Sequence, residues 1–354
     1  MPSILHIQRR PLPTQFSVEG YIERVRSAWS DGETPKLFQV PCFSRGLLPR
    51  LRNMLAVWRQ SADVYHVTGD IHYVACVLPR GRTVLTILDC QILERLTGWR
   101  RALVKYFWYT LPVRHAAQIT VISSETKARL LEHVSYPADR IHVIPVSVSE
   151  IYQPCPKPFN AECPRILQIG TKANKNVPRL VQALRGLRCH LDIVGPVDDQ
   201  LRELLAECNI QWTVWGRLSD AELLQRYQEA DIVAFVSTSE GFGMPIVEAQ
   251  RVERVCVTSN CSSMPEVAGE GACFVDPRSI DSIRAGFDLV IASRDYRDGL
   301  IALGRKNSRR FDAAQIAMQF SWVYAAAASL PAVTSSNIGV AASDPAQLSN
   351  EPRV

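Results

Sequence analysis

Two glutamates, Glu240 and Glu248, stand on either side of the start of a helix, and a short segment with two glycines, residues 240–245 (the glycine turn), leads into it. The apolar run before it, residues 231–236, predicts a strand buried on both faces of a parallel sheet. Glycines let the backbone approach a ligand closely, and free amides at a helix start favour an anion. Carboxylates only accept hydrogen bonds, so the arrangement favours a ligand with phosphate and hydroxyl groups, such as a nucleotide-sugar. The alternative is a tight turn with Glu248 solvated.

A second glycine-led segment, residues 170–176 (the lysine turn), carries Lys172 and Lys175. It follows residues 165–169, which predict the first strand of a second nucleotide-binding-type domain. Two ammonium groups at the end of such a strand suit the neutralisation of a diphosphate leaving group. The alternative is that both lysines are ordinary surface charges.

The order of strand, Glu-Gly-Phe-Gly-x-Pro, helix and second glutamate resembles the signature of the retaining glycosyltransferases of family four, the group one enzymes of bacterial polysaccharide biosynthesis type. The resemblance implies an α/β chain with the GT-B fold, in which two Rossmann-like domains face a cleft. It covers nearly the whole chain to about residue 328, although the specific motifs lie in the second half.

The same resemblance implies roles for the matching residues. Glu240 would hold the sugar hydroxyls, Glu248 the ribose hydroxyls, and Lys175 the phosphates. The remaining donor-site candidates are Thr171 and Lys172 in the lysine turn, Arg217 and Leu218 near the base, and Gly241, Phe242, Gly243 and Met244, whose amides would contact the diphosphate. Glu240, Lys175 and Asp89 are the candidates for catalysis.

One position departs from the family's pattern. The strand predicted before Asp89 is usually followed in the family by His-Asp, and here Leu88 takes the place of the His. His72, in a neighbouring predicted loop, is a candidate to lie near the cleft, but the sequence assigns the missing role to no residue. Either the contact is supplied differently or the activity is weak.

Length and composition limit the class of protein. With 354 residues, 47% of them hydrophobic, the chain is long enough for two domains and is ordinary for a globular protein. It lacks a run that predicts a transmembrane helix and the pattern of a secretory signal, so we expect it in the cytoplasm. The net charge of +5 is too small to indicate nucleic acid as a partner. The ten cysteines lack metal-site spacing and are expected to be reduced.

The predicted elements divide the chain into two domains. Residues 1–150 are expected to form an N-terminal, acceptor-side Rossmann-like domain, and the proline-rich residues 151–164 a linker. Residues 165–310 predict the C-terminal, nucleotide-sugar-binding Rossmann-like domain. Residues 311–328 predict a helix that returns to the N-terminal domain, and residues 329–354 are expected to be disordered.

Two segments of the first domain combine basic with large apolar side chains. Residues 45–60 predict an amphipathic helix with arginines on its polar face, and residues 99–115 interleave four basic with five aromatic residues. Such segments suit contact with anionic lipid headgroups. For the first segment the commoner outcome is an apolar face packed on a sheet. For the second, packing of the aromatics into the core is equally open.

The resemblance implies a hexosyltransferase that uses a nucleotide-diphosphate sugar as donor and a saccharide or lipid-linked saccharide as acceptor. The setting would be surface polysaccharide or lipopolysaccharide assembly, in the cytoplasm and at the inner face of its membrane. The chain has no Asp-x-Asp motif, so we expect no metal, and no cofactor besides the donor. The alternative, raised by Leu88, is a nucleotide-sugar-binding homologue with little or no activity. An epimerase of similar fold fits the glutamate motif less well.

Overall fold

The structure is a computed structural model and describes residues 2–11 and 17–329. The strands lie in two parallel sheets of six strands each. The first sheet contains β1 (Ile4–Gln8), β2 (Lys36–Gln39), β3 (Val64–Val67), β4 (Thr83–Ile87), β5 (Gln118–Val121) and β6 (Ile141–Val143). The second contains β7 (Arg165–Ile169), β8 (His190–Val194), β9 (Gln211–Trp215), β10 (Ile232–Phe235), β11 (Val255–Ser259) and β12 (Cys273–Val275). The tail expected to be disordered lies outside the described residues from residue 330 onward.

Helices connect the strands of each sheet and define two lobes. The first lobe has α1 (Ser17–Ser27), α2 (Leu47–Trp58), α3 (Gln91–Arg95), α4 (Gly98–Val104), α5 (Leu111–His115) and α6 (Ser124–His133), with a π-helical segment, Lys105–Thr110, between α4 and α5. The second lobe has α7 (Val177–Ala183), α8 (Asp199–Glu207), α9 (Asp220–Glu229), α10 (Met244–Arg251), α11 (Met264–Ala268), α12 (Ile280–Ala292) and α13 (Arg294–Ser308). The last helix is α14 (Ala313–Ser329).

The strand order of the second sheet explains where a ligand can bind. The order is β12-β11-β10-β7-β8-β9, so the chain changes direction across the sheet between β7 and β10, which pair in parallel with Ile232 opposite Ile166. Ligands of open parallel sheets bind beyond the carboxyl ends of the strands at such a point. The lysine turn follows β7 and the glycine turn follows β10, so the topology brings the two turns together.

The central strands are apolar because both of their faces are covered by helices. Every residue of β4 and of β10 is buried. Parallel sheets with helices on both faces require this, and the continuous apolar runs of the sequence reflect it. The polar groups of the chain are therefore available mainly in the loops at the strand ends.

The last helix, α14, packs across the first lobe, against α1, β3 and β4. Its Tyr324 hydroxyl lies 2.8 Å from His6 Nε2 and 2.7 Å from His66 Nδ1, in a fully buried cluster. His66 continues the network to the Thr86 hydroxyl at 2.6 Å. Burial lowers the pKa of His66 to about 3, so both ring nitrogens act as partners of a neutral imidazole. This network holds α14, which follows the second lobe in the sequence, against the first lobe.

Hydrogen bonds also join the lobes beside the glycine turn. The Ser123 hydroxyl at the start of α6 donates to the Gly241 carbonyl at 2.7 Å. The amide and hydroxyl of Ser124 donate to the Glu266 carboxylate at 2.8 and 3.1 Å. The start of α6 therefore holds the two lobes close together at one side of the cleft.

The apolar face of α2 does not pack on the sheet. Leu47 is 71% and Trp58 65% exposed. The helix turns its opposite face inward, where the buried Asn53 side chain exchanges two hydrogen bonds of 2.9 Å with the backbone of Cys42. Asn53 and Val57 face the protein, and the leucines of the predicted apolar face stay exposed.

Candidate active site

The lysine turn and the glycine turn meet through an ion pair. Lys175 Nζ donates to Glu240 Oε1 at 2.7 Å, and both side chains are largely buried. The Asn174 side-chain amide donates to the same oxygen at 3.0 Å. The Lys175 ammonium also lies 4.5 Å from the centre of the Phe235 ring, which favours a cation. The carboxylate and the ammonium are thus held in a defined position at the strand ends.

The backbone of the lysine turn is shaped to let Lys175 reach across. Gly170 has a φ of +83°, and a Cβ there would lie 3.1 Å from Lys175 Cε. Asn176, with a φ of 59°, is also left-handed. Its buried side-chain amide donates to the carbonyls of Val236 and Pro277 at 3.0 and 2.7 Å. Asn176 therefore fixes the turn to the strands beside it.

The glycine turn presents backbone amides at the start of α10. Gly243, with a φ of +114°, precedes the first residue of this helix. Among the described residues, no hydrogen bond occupies the amides of Phe242, Gly243 and Met244. The Ser263 hydroxyl instead holds the Phe242 carbonyl at 2.6 Å from behind. Free donors at a helix start form an anion site.

Glu248 lies inside α10 and is buried. The Tyr227 hydroxyl donates to its Oε2 at 2.5 Å. Burial raises the pKa of Glu248 to about 7, although the hydrogen bond from Tyr227 and the positive charge of Arg24 oppose that shift. Arg24 comes from α1 of the first lobe and is anchored by a 2.8 Å bond to the Ser147 carbonyl. Burial therefore favours the protonated form of Glu248 more than it is favoured in an exposed carboxyl.

The first lobe contributes the opposite wall of the cleft. Asp89 accepts a hydrogen bond of 3.0 Å from the Gln91 amide. Partial desolvation and the negative charge of Asp70 raise the pKa of the Asp89 carboxyl. Asp70 itself pairs with Arg9 at 2.5 Å. The wall thus carries the carboxylates of Asp70 and Asp89 together with the guanidinium groups of Arg9 and Arg95.

Together the walls enclose a cavity of about 440 Å³. Its lining includes the predicted residues Asp89, Lys172, Lys175, Glu240, Gly241, Phe242, Gly243 and Met244. Gly241 lies tightly against the first lobe, because a Cβ there would lie 2.9 Å from the Leu88 carbonyl oxygen. The volume is within the range of small-molecule sites.

Four predicted residues lie elsewhere. Glu248 stands behind the cavity, and the Thr171 side chain packs against Gly195. Arg217 and Leu218 lie in the loop between β9 and α9 and do not line the cavity. The structure therefore brings the phosphate-binding and sugar-binding candidates together, but it leaves the base-binding candidates outside this cavity.

His72 does not replace the histidine that is absent at Leu88. It is buried, its Nδ1 donates to the Trp108 carbonyl at 3.0 Å, and burial lowers its pKa. It does not line the cavity. The short helical turn His72–Val77 packs under Tyr109. His72 lies close enough to Asp70 and Asp89 for their charges to oppose the effect of burial on its pKa, so it lies near the cleft without lining the cavity. Leu88 itself lines the cavity.

Sequence reasoning missed three residues that position the site. The sequence could have indicated Asn174, since it is a polar residue in the loop after β7, between the two lysines. Nothing in the sequence indicates Tyr227 or Arg24, because each comes from another helix and looks like an ordinary helix residue. Their contribution arises only when α1 and α9 pack beside α10.

A cleft with a cation, free amides and carboxylates, between two doubly wound lobes, is the arrangement of a GT-B nucleotide-sugar transferase. Family comparisons agree. Residues 156–307 match the family described as glycosyl transferases group 1, and residues 7–147 match a glycosyl transferase 4-like domain. The chain belongs to the group 1 glycosyltransferases.

Individual relatives have low sequence identity to this chain. The chain is 29% identical to the O-antigen chain mannosyltransferase B of Escherichia coli over 65% of this chain and 66% of that protein. It is 27% identical to the MMP alpha-(1->4)-mannosyltransferase of Mycolicibacterium hassiacum, over 90% of this chain and 80% of that one. The crystal structure of Anabaena Alr3699/HepE in complex with UDP and glucose is similar in fold, with a TM-score of 0.72 and 15% identity over 91% of this chain and 99% of that one.

Two features of the described residues concern membranes and metals. No helix within residues 2–11 and 17–329 has the length and apolar character needed to cross a bilayer. In the same part of the chain, no group of three or more His, Cys, Asp or Glu side chains is arranged to hold a metal ion.

Proposed function

We propose that this protein transfers a hexose, with retention of configuration, from a nucleotide-diphosphate sugar to a saccharide or lipid-linked saccharide acceptor. The observation that carries the proposal is the Lys175–Glu240 ion pair beside the free amides of the glycine turn. It places one cation, one hydroxyl-binding carboxylate and a helix start within one cavity. A diphosphate joined to a sugar needs these three groups together.

Each group has a role in this proposal. The diphosphate binds the amides of Phe242 to Met244 and the Lys175 ammonium, with the exposed Lys172 as a second cation. Glu240 accepts hydrogen bonds from the sugar hydroxyls while it still orients Lys175. Since negative charge grows on the leaving phosphate as the glycosidic bond breaks, these donors stabilise the transition state more than the bound donor.

The same arrangement defines which bonds form and break during transfer and where the acceptor proton goes. The acceptor hydroxyl oxygen bonds to the anomeric carbon on the face that the diphosphate leaves, and a leaving phosphate oxygen takes the hydroxyl proton. Asp89, on the opposite wall, accepts a hydrogen bond from a sugar hydroxyl and so orients the reacting groups. Charge neutralisation by Lys175 and Lys172 makes a metal ion unnecessary in this mechanism.

Glu248 is proposed to bind the ribose hydroxyls of the donor. Hydroxyl donors stabilise the ionised carboxylate, whereas burial in the free protein favours the protonated form. Binding of the nucleotide near pH 7 should therefore release a proton from Glu248. Arg217 and Leu218, in the loop after β9 of the same lobe, are proposed to contact the base.

The relatives indicate which donor to test first. The two relatives described above are named mannosyltransferases, so a nucleoside-diphosphate mannose is the first choice. The name of the Escherichia coli relative also supports a place in surface polysaccharide assembly, including that of lipopolysaccharide. We place the reaction in the cytoplasm, at the inner face of its membrane, because Trp58 and Trp99 are exposed among arginines, as in segments that contact anionic headgroups.

The second candidate function is a nucleotide-sugar-binding homologue with little or no transferase activity. Leu88 favours it, since an apolar side chain lines the cavity where the family usually has a histidine. The ordered Lys175–Glu240 pair is compatible with both candidates, so transfer of the sugar to an acceptor distinguishes them.

Donor binding tests the proposal. Thermal stabilisation of the purified protein is measured with UDP-, GDP-, ADP- and CMP-sugars, for the wild type and for Lys175→Ala and Glu248→Ala. We expect stabilisation by one donor class and its loss in both variants. Arg294→Ala, at an exposed position far from the cleft, should respond like the wild type. The absence of stabilisation by any donor at millimolar concentration would refute the donor site.

A further inference from the structure

An apolar groove runs along the outside of the first lobe between α2 and the helical segment from α4 through the π-helix. It has a volume of about 570 Å³. Its lining is almost entirely apolar and includes Leu47, Leu51, Met54, Ile92, Leu103 and Phe107. Leu51 and Phe107 are 49% and 52% exposed. Folding normally buries side chains of this kind, and a contiguous exposed set of them marks a binding surface.

The apolar groove begins directly beside the cleft. The short helix α3 separates the two, since its Gln91 and Arg95 line the cleft cavity while Ile92 lines the groove. The same helix begins two residues after Asp89. A molecule that crosses α3 can therefore have one end in the groove and the other at the acceptor wall of the cleft.

The two segments that form most of the groove are basic. Residues 44–62 and 97–124 contain eight Lys and Arg residues and none of the 35 acidic residues of the chain. Within the part of the chain that the structure describes, none of these eight residues pairs with a carboxylate. Arg50 lies instead over the Trp108 ring at 4.8 Å. The groove is complementary to a hydrocarbon chain that carries a negative charge at its end.

Arg95 stands where such a charge would lie. It lines the cleft at α3, its guanidinium is exposed, and it donates to the Gln91 side-chain oxygen at 3.2 Å. In the described residues it has no carboxylate partner. A guanidinium with free N–H groups is well suited to a phosphate.

From this juxtaposition we infer that the acceptor is lipid-linked and that its hydrocarbon chain lies in the apolar groove. The phosphate that joins lipid to saccharide contacts Arg95, and the saccharide reaches past α3 to Asp89. This inference rests on the proposed transferase function, but it narrows the two acceptor classes to one and assigns a site for the lipid.

Binding of a simple amphiphile tests the lipid site without any activity. Dodecyl phosphate, below its critical micelle concentration, and butyl phosphate are titrated calorimetrically into the full-length protein. Each buried methylene contributes about fourfold in affinity, so dodecyl phosphate should bind at least about 100-fold more tightly. The double variant Leu51→Gln/Phe107→Gln should lose at least about 10-fold of that affinity. Both positions are half-exposed, so the changes should not affect folding. The matched control is Leu289→Gln, at a 46% exposed leucine of α12 in the other lobe.

Three outcomes would overturn the inference. Equal affinity for the two phosphates would mean that the groove takes no chain. Loss of binding to anionic phospholipid vesicles in the double variant, with dodecyl phosphate binding unchanged, would mean that the surface docks on a bilayer instead. Conversion of a wild-type dimer to a monomer by the double variant, again with dodecyl phosphate binding unchanged, would mean that a second copy covers the groove.

A kinetic comparison links the site to the acceptor. With one saccharide presented either free or on a lipid phosphate, the double variant should raise KM for the lipid-linked form by at least about 10-fold and leave KM for the free form unchanged. An equal effect on both forms would contradict a lipid site. Donor stabilisation reports on the proposed function separately, because Leu51 and Phe107 do not line the donor cavity. A failure of the lipid site would leave that stabilisation intact.

Discussion

Replacing Glu248 by glutamine should stabilise the free protein in a pH-dependent way. Burial raises the pKa of this carboxyl from its ordinary value of 4.5 to about 7. The folded protein therefore binds a proton more tightly than the unfolded chain, and stability present at low pH is lost as the pH rises through 7. The penalty of the native carboxyl grows from about 1 kcal/mol at pH 5 to about 3 kcal/mol at pH 8.5. Glutamine has the same shape, can accept from Tyr227, and carries no charge.

The assay is the free energy of unfolding of the wild type and Glu248→Gln by urea at both pH values. The difference between the two proteins should change by about 2.5 kcal/mol in favour of the variant from pH 5 to pH 8.5. Other groups, including His66, titrate in both proteins, so their contributions cancel in the difference between the two free energies of unfolding. Glu203→Gln, at an exposed position of α8, should show no such trend. A difference that stays constant with pH, or that turns against the variant at high pH, would refute the account of Glu248.

Three further predictions concern separate parts of the structure. Gly241→Ala should lower the transfer rate about 10- to 100-fold, because the new Cβ would lie 2.9 Å from the Leu88 carbonyl and push the lobes apart. The control, Gly299→Ala, should retain full activity, because no atom lies within 4 Å of a Cβ at that position. Tyr324→Phe should destabilise the protein by about 1–3 kcal/mol in urea, since two buried histidines lose their partner, and an unchanged midpoint would contradict that role. EDTA should leave the transfer rate unchanged, and a rate lost with EDTA and restored only by added divalent metal would contradict a metal-independent mechanism.

The fold class was predictable because its signals are local and repeated. Continuous apolar runs such as residues 231–236 indicate strands covered on both faces, and their alternation with helices indicates parallel sheets. Once the sheet is parallel, the loops after its strands share one edge. The meeting of the lysine turn with the glycine turn follows from that rule, although the ion pair between Lys175 and Glu240 does not.

The features that the sequence did not predict depend on which side of a helix faces the protein interior. The leucines of α2 indicate an amphipathic helix, but periodicity cannot tell whether the protein or a ligand covers the apolar face. Here Asn53 faces inward, and its two bonds to Cys42 are visible only in the folded chain. The environment of Glu248 is similar, since its raised pKa results from burial that exists only in the folded chain, and the two groups that oppose the rise, Tyr227 and Arg24, are supplied by two other helices.

The most direct test of the central claim is transfer itself. Purified wild type and Lys175→Ala are incubated with a nucleoside-diphosphate mannose and a lipid-phosphate-linked saccharide, and the product is analysed by NMR for its new anomeric linkage. The account predicts a product with the anomeric configuration of the donor, formed at least about 100-fold more slowly by the variant. A product of inverted configuration, or a variant as fast as the wild type, would contradict it.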